Sequence, residues 1–350
     1  MTQKGITFVK YFERWYETYR KPKLRPVSAQ KYHILMRQLK ISKLGQMELK
    51  KIKRKDVQEF FNDFGKTRRR VTVLDNHKFI KASFADAVLD GLIKTNPCSR
   101  IEIVSVEDNW DVMKRKEVRE KKKWLELDEY KKTKLYLIGM LNCSFQQDEK
   151  AELLFKNNKN EIVSVLKPRT YVPQMALMTI YVALKTGARV SEILGLTKED
   201  VDFDSATLNI DKTWDYKFGG GFTETKNTSS IRKIGVDKEF LRVMEIYFWW
   251  LDKHNIKTDQ GAIFVKEKVK VHNSLPNSIL KRIFECLEIE PISLHKLRHT
   301  HASILIAQGI SLQVIAKRLG HSDTSMIQKT YGHLLESVEE RENKRILEVI

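Results

Sequence analysis

Apolar residues recur at helical spacing from the start of the chain, at Ile6, Val9, Phe12 and Tyr16. Ser28 is expected to cap a second helix running through Leu39. Lys55 to Phe64 reads as a short amphipathic helix with Val57, Phe60, Phe61 and Phe64 facing inward. A fourth helix over 71–92 carries Val73, Leu74, Phe79, Ile80, Phe84, Ala87 and Val88, and Gly91 and Asn96-Pro97 stop it. Residues 104–123 break the periodicity and end in VMKRKEVREKKK, a charged connector. Trp124 opens a helix through about Met140. Residues 141–170 show no clear period, and KNNKNE within them reads as a surface excursion.

The pattern then changes. Residues 173–186 are apolar on every side and end at Gly187, followed by a short helix over Ser191–Leu196. TLNIDKTW, GGGFTET and SIRKIGV read as three short strands separated by turns. Helices follow over 237–254 and Pro276 to Leu287, then one capped by Ser293 and carrying HKLRHTHASILIAQ, then 311–319, 323–331 and 333–348. The predicted fold class is mainly α. A small all-α domain (1–103) and a basic linker (104–123) precede a mixed α+β domain (124–350) with a small antiparallel β-sheet and a C-terminal tail helix.

Charge sharpens this picture. The 350 residues carry a formal charge of +19, and the first hundred hold 24 Lys and Arg against 9 Asp and Glu. Such clustering points to a polyanion, because neutralising phosphates releases counterions. Cys98, Cys143 and Cys286 lie far apart with no CxxC spacing, which argues against a disulfide framework or zinc ribbon. The polar, aromatic start and the lack of any apolar run near 18 residues predict neither a signal peptide nor a membrane span, hence a cytoplasmic protein.

Candidate chemistry gathers late in the chain. His295 and Arg298 are three residues apart and share a helix face, where a guanidinium fork matches phosphate oxygens. His295 and His299 are four apart, but the Lys-Leu-Arg between them opposes a metal cation. Arg189 follows a helix stop, with Glu192 placed to orient it, although a surface salt bridge is the commoner role for such a pair. Lys226 sits near a strand turn from which an ammonium can reach a leaving oxygen; Lys212 and Lys233 are rivals. Residues 311–333 superficially match a helix-turn-helix reader, but His321 lies in the turn and Tyr331 at the end of the second helix, whereas such readers contact bases from the helix start. Tyr331 is the only tyrosine after Tyr247. A free phenol has a pKa near ~10 and needs neighbouring cations to attack at neutral pH.

Taken in order, TGARVSEILGL, TKNTSSIRKI, HKLRHTHA, LGHSD and KTYGHL resemble the catalytic motifs of the tyrosine recombinases, the phage-type integrases. The resemblance covers about 120–340. The amino-terminal segment, particularly AVLDGLIKTNP, is similar to that family's core-site DNA-binding domain. It implies that Arg189 and Arg298 hold the scissile phosphate and that Lys226 protonates the leaving 5′ oxygen. His295 would assist proton transfer, His321 would bind a nonbridging oxygen, and Tyr331 would become joined to the 3′ phosphate. It further implies a site-specific DNA recombinase that integrates and excises a mobile element. That scheme needs no metal or nucleotide cofactor. The partners implied are double-stranded DNA attachment sites, a homotetramer assembled on DNA, and an accessory DNA-bending or excision protein. A type IB topoisomerase-like enzyme and a non-catalytic helix-turn-helix regulator are the alternatives. Two departures stand out. Residues 141–170 match no motif, and the chain opens directly on the core-type domain, so a separate arm-site domain is expected to be absent.

Overall fold

The structure, a computed structural model, describes residues 5–167, 172–225, 227–332 and 334–335. The chain divides into two compact units, Met1–Lys121 and Lys122–Ile350.

The first unit is all helical among its described residues. Its elements are α1 (Phe8–Trp15), α2 (Pro26–Ile41), α3 (Lys43–Gln46), α4 (Arg54–Gly65), α5 (Arg70–Leu89) and α6 (Val112–Glu120). An aromatic core holds them: Phe8 stacks on Phe84 with centroids 4.4 Å apart, and Phe12, Trp15, Tyr32 and Phe61 pack around them. Two of the core aromatic rings place their polar tips against partners. The Tyr11 hydroxyl donates to the Ser83 carbonyl (3.0 Å) and the Trp15 indole to Asp86 (2.6 Å).

Helix α2 begins before Ser28. Arg25 occupies the N-cap and Pro26 the first turn, where its missing N–H costs nothing. The connector is more structured than its charge run suggests. Val106 N–H bonds the Arg68 carbonyl, Arg70 bonds the Ile103 carbonyl, and 112–120 is helical with Asp111 as N-cap. Contacts therefore place 104–121 with the first unit.

The second unit is built around α8 (Pro173–Thr186), whose residues are nearly all buried. Packed on it are α7 (Leu127–Ser144), α11 (Ser274–Leu287) and α12 (Lys296–Ala307). The region with no readable period is a hairpin, β1 (Leu153–Lys156) with β2 (Ile162–Leu166), and KNNKNE spans the end of β1 and its turn. Its register shifts next to Lys156, and only Leu153 and Phe155 are buried, with Leu166 packed partly against the same core. One inward face on a two-stranded ribbon leaves too little alternation to read.

After α9 (Val190–Leu194), TLNIDKTW proves to be two strands. Asp211 separates β4 (Thr207–Ile210), which lies between β3 (Val201–Asp202) and β7 (Arg232–Gly235), from β5 (Lys212–Trp214), which pairs with β6 (Phe222–Glu224). Helix α10 (Lys238–Lys253) follows, then the short pair β8 (Thr258–Asp259) and β9 (Ala262–Lys266). The last described elements are α13 (Leu312–Leu319) and a helix over 325–332. The tail helix expected over 333–348 lies outside the described residues except for Leu334 and Leu335, which are helical and pack against Tyr331 and its neighbours. No described helix is long and apolar enough to cross a membrane.

Candidate active site

Two backbone turns create the site. Helix α8 ends at Gly187 in the left-handed conformation (φ 67°), and α13 ends at Gly320 likewise (φ 70°). Any Cβ at these positions would also crowd its neighbours. At Gly187 it would lie 3.0 Å from the His301 ring, and at Gly320 3.0 Å from the Arg232 guanidinium. The chain thus delivers Arg189 and His321 immediately after two turns that only glycine fits easily.

Arg298 binds both turns together. It is buried on α12, and its guanidinium donates to the Gly187 carbonyl (2.9 Å) and the Leu319 carbonyl (2.5 Å). Burial, with Arg189 beside it, pushes its pKa down to about 9. Arg189 is half-buried at the N-cap of α9. Glu192 accepts from its guanidinium (2.6 Å) and from its backbone N–H (2.8 Å). The commoner reading of this pair, a surface salt bridge, does not hold: Glu192 is buried.

His295, not Ser293, holds the N-cap of α12; the Ser293 carbonyl instead accepts from Lys296 N–H (2.8 Å). His295 is exposed, yet desolvation on its protein side and then the Arg298 and Arg189 charges lower its pKa. His321 is half-buried. Burial, then Arg298, Arg189 and Arg232, push it down to about 4. Its Nδ1 is buried without a hydrogen-bond partner among the described residues.

Tyr331 is buried in a small cluster with Ala302, Ile306, Ile315, Leu319 and Ile327. Its hydroxyl lies 2.7 Å from His299 Nδ1 and 3.4 Å from the His299 carbonyl. The carbonyl's second lone pair can take the longer bond from the hydroxyl, and the shorter contact is to the ring nitrogen. Burial raises the phenol pKa while Arg298 pulls it back. Burial and then His295, Arg298 and Lys296 push His299 down to about 4, so its ring is neutral at pH 7. Because Ile327 and Tyr331 face this core, the helix over 325–332 turns part of its surface inward rather than standing free as a recognition helix.

Five of the six residues singled out in the sequence therefore converge: Arg189, His295, Arg298, His321 and Tyr331. Lys226 lies outside the described residues. Of its rivals, Lys212 is held by Asp200 (2.6 Å) and Asp211 (3.1 Å), and Lys233 is exposed on β7. Sequence reasoning missed Arg232 and weighed His299 only as a metal ligand. A signal for Arg232 was present: in a strand of period two it shares a face with Ile234, and both are buried. A charge on an inward face needs a buried partner.

Clustered guanidiniums around an imidazole with an unsatisfied nitrogen suit an anion with several oxygens. Among the described residues, no three His, Cys, Asp or Glu side chains gather to hold a metal. A phenol beside such an anion site is the equipment of a phosphoryl-transfer enzyme with a tyrosine nucleophile.

The phage integrase family model matches residues 148–337, and the SAM-like amino-terminal domain of phage integrases matches residues 7–65. The chain belongs to the phage integrase family. It is 33% identical over 175 residues to an integrase of Staphylococcus phage L54a, covering 47% of this chain and 49% of that protein. It is 30% identical over 172 residues to the ICEBs1 integrase of Bacillus subtilis (strain 168), covering 46% of each. The chain thus spans about half the length of these two relatives. Among solved structures, a Tn1549 transposon integrase in complex with a circular intermediate DNA shares the fold. Its TM-score is 0.70 at 19% identity, over 98% of this chain and 100% of that one. A lambda integrase tetramer bound to a Holliday junction gives 0.56 at 14%, over 92% of this chain and 79% of that one.

Proposed function

We propose that this protein is a site-specific DNA recombinase that cuts and rejoins duplex DNA through a 3′-phosphotyrosyl link. The observation that carries the reading is the convergence of Arg189, Arg298 and His321 on one site that also holds the Tyr331 phenol. Arg189 and Arg298 hold the scissile phosphate, and their positive charge stabilises the phosphorane that forms as the phenol oxygen attacks. His321 donates to a nonbridging oxygen once a phosphate supplies the partner that Nδ1 lacks. His295 assists proton transfer, and Lys226 gives a proton to the departing 5′ oxygen. The new phosphotyrosyl bond retains the energy of the phosphodiester. A 5′ hydroxyl on another strand then reverses the attack without a nucleotide cofactor.

The basic first unit, with the core-site DNA-binding domain within 1–103, holds duplex DNA. The mixed domain (124–350) performs the chemistry. Four such sites act on two duplexes as a DNA-assembled tetramer serving a mobile element, with an accessory DNA-bending or excision protein setting direction. The solved relatives on circular-intermediate DNA and on a Holliday junction support this reading.

Covalent trapping tests it. The full chain is incubated with a pool of nicked duplexes of randomised core sequence, and protein-linked DNA is recovered under denaturing conditions and sequenced. Wild type is expected to yield adducts with a shared sequence, and Tyr331→Phe none while still binding DNA. Adducts from the Phe variant, or none from wild type at any sequence, overturn the assignment.

A further inference from the structure

We infer that Arg232 is a positioning residue that sets Arg189 through Glu192 and locks the three chain segments of the site to one another. The inference rests on the proposed recombinase reading and deepens it.

Arg232 is buried on β7, and each of its nitrogens has a different duty. Nε donates to the Arg318 carbonyl (2.7 Å), one terminal nitrogen to the Ser230 carbonyl (2.9 Å), and the other to Glu192 Oε2 (2.9 Å). Glu192 Oε2 also accepts the Arg189 backbone N–H, and Oε1 accepts the Arg189 guanidinium. Glu192 is therefore a shared carboxylate between a half-buried arginine that faces the phosphate site and a buried one that does not. Arg232 and its neighbours hold the Glu192 carboxyl below the ordinary carboxylate range against the opposing effect of burial.

The other two bonds reach the remaining parts of the site. Ser230 closes the short turn Thr228–Ser230 that follows Lys226 in the chain. Arg318 lies just before the Gly320–His321 turn, and Gly320 leaves the room that the Arg232 guanidinium occupies. A second arginine reinforces the same joint: Arg318 donates to His301 Nε2 (2.9 Å) and to the Gly235 carbonyl (3.0 Å). A planar five-donor fork suits three acceptors on three segments, and an ammonium on a flexible stem does not.

The test uses the full chain and the duplex recovered by covalent trapping. Arg232→Met, Arg232→Lys, Glu192→Gln and the double variant R232M/E192Q are compared with wild type. Gel shift measures DNA binding, thermal melting measures folding, and single-turnover cleavage is timed at saturating DNA. Arg232→Met is expected to bind within about threefold of wild type and to cleave about 10- to 100-fold more slowly, as loss of an orienting partner does. Arg232→Lys should recover only part of the rate. The double variant should be no slower than the worse single variant, because the pair acts as one unit. It also removes both buried charges together, which preserves the test if a single variant melts early.

A neutral methylphosphonate at the scissile position needs less cationic stabilisation, so the Arg232→Met defect should shrink on it; a fold defect would not respond to the substrate. Cleavage by Arg232→Met within threefold of wild type overturns the inference. So do additive losses in the double variant, or a defect equal on both substrates. Failure of the wild-type control to form any adduct would instead overturn the recombinase reading.

Discussion

Buried cations separate the two units: among the described residues, both buried arginines lie in the second. In the first, lysines such as Lys23, Lys78 and Lys94 stand exposed around a core of aromatic and aliphatic side chains. In the second, Arg232 and Arg298 are buried, and every hydrogen bond they make has a named acceptor. An exposed ammonium acts on DNA as one of many, and salt screens it. A buried guanidinium has left water and repays that cost only in one geometry. The first arrangement yields affinity that tolerates the loss of any single member. In the second, the proposed chemistry does not.

After removal of the Tyr331 phenol, the largest expected effect is at Lys226. Lys226→Ala should slow cleavage of ordinary duplex on the order of 10²–10⁴-fold, the usual contribution of a general acid. A duplex with sulfur at the 5′ bridging position has a good leaving group, and its cleavage should largely recover. Equal loss on both substrates would make Lys226 a phosphate clamp instead.

Arg298→Lys comes next. A lysine keeps the charge but cannot span the Gly187 and Leu319 carbonyls, so the cleavage rate should fall about 10²–10³-fold with DNA binding nearly unchanged. Near-wild-type cleavage by the lysine variant would break the contrast between buried and exposed cations.

Acid should separate the units by a smaller margin. Burial and nearby cations push His299 and His321 down to about 4, and burial with Arg318 beside it pushes His301 down to about 3. Unfolded histidine titrates near ~6.5. Below that pH the unfolded chain takes up protons that the folded site refuses, so stability is intact above about pH 6.5 and falls as the pH drops toward 4. In the first unit, His77 is lowered in the same direction by its own burial. Hydrogen exchange on the full chain between pH 7 and 4.5, corrected for intrinsic exchange, should show protection lost first in peptides around α12 and α13. Uniform loss in both units would contradict it.

The smallest effects belong to the first unit. Lys23→Ala, Lys78→Ala or Lys94→Ala should each weaken duplex binding modestly. A lysine that meets phosphate should also lower the salt slope by about one. A single variant that abolishes binding would show that this unit, too, depends on individual contacts.

Much of this was legible in the sequence because periodicity and turn chemistry are local. Helices α4, α5, α8 and α10 fall within a few residues of the spans their apolar spacing predicts. Pro26 as the start of α2 was legible too, but Ser28 competed with it as a capping residue. The hairpin of β1 and β2 was hidden, since four and five residues with one buried face leave too short a pattern. The break at Asp211 was hidden because Leu208, Ile210 and Trp214 share one parity across it with only Lys212 out of pattern, and only pairing shows that the two halves join different sheets.

By itself, then, the sequence determined most of the helices and singled out residues whose chemistry suits a phosphate, because residue chemistry and spacing need no partner to be read. Tertiary structure decided which of them share an acceptor. Glu192 serves Arg189 from three residues away and Arg232 from forty, and the Tyr331 hydroxyl meets His299 rather than His295. No local pattern encodes such meetings, because a hydrogen bond between distant residues depends on how α8, α12, α13 and β7 stack, and that stacking minimises the burial energy of the whole unit.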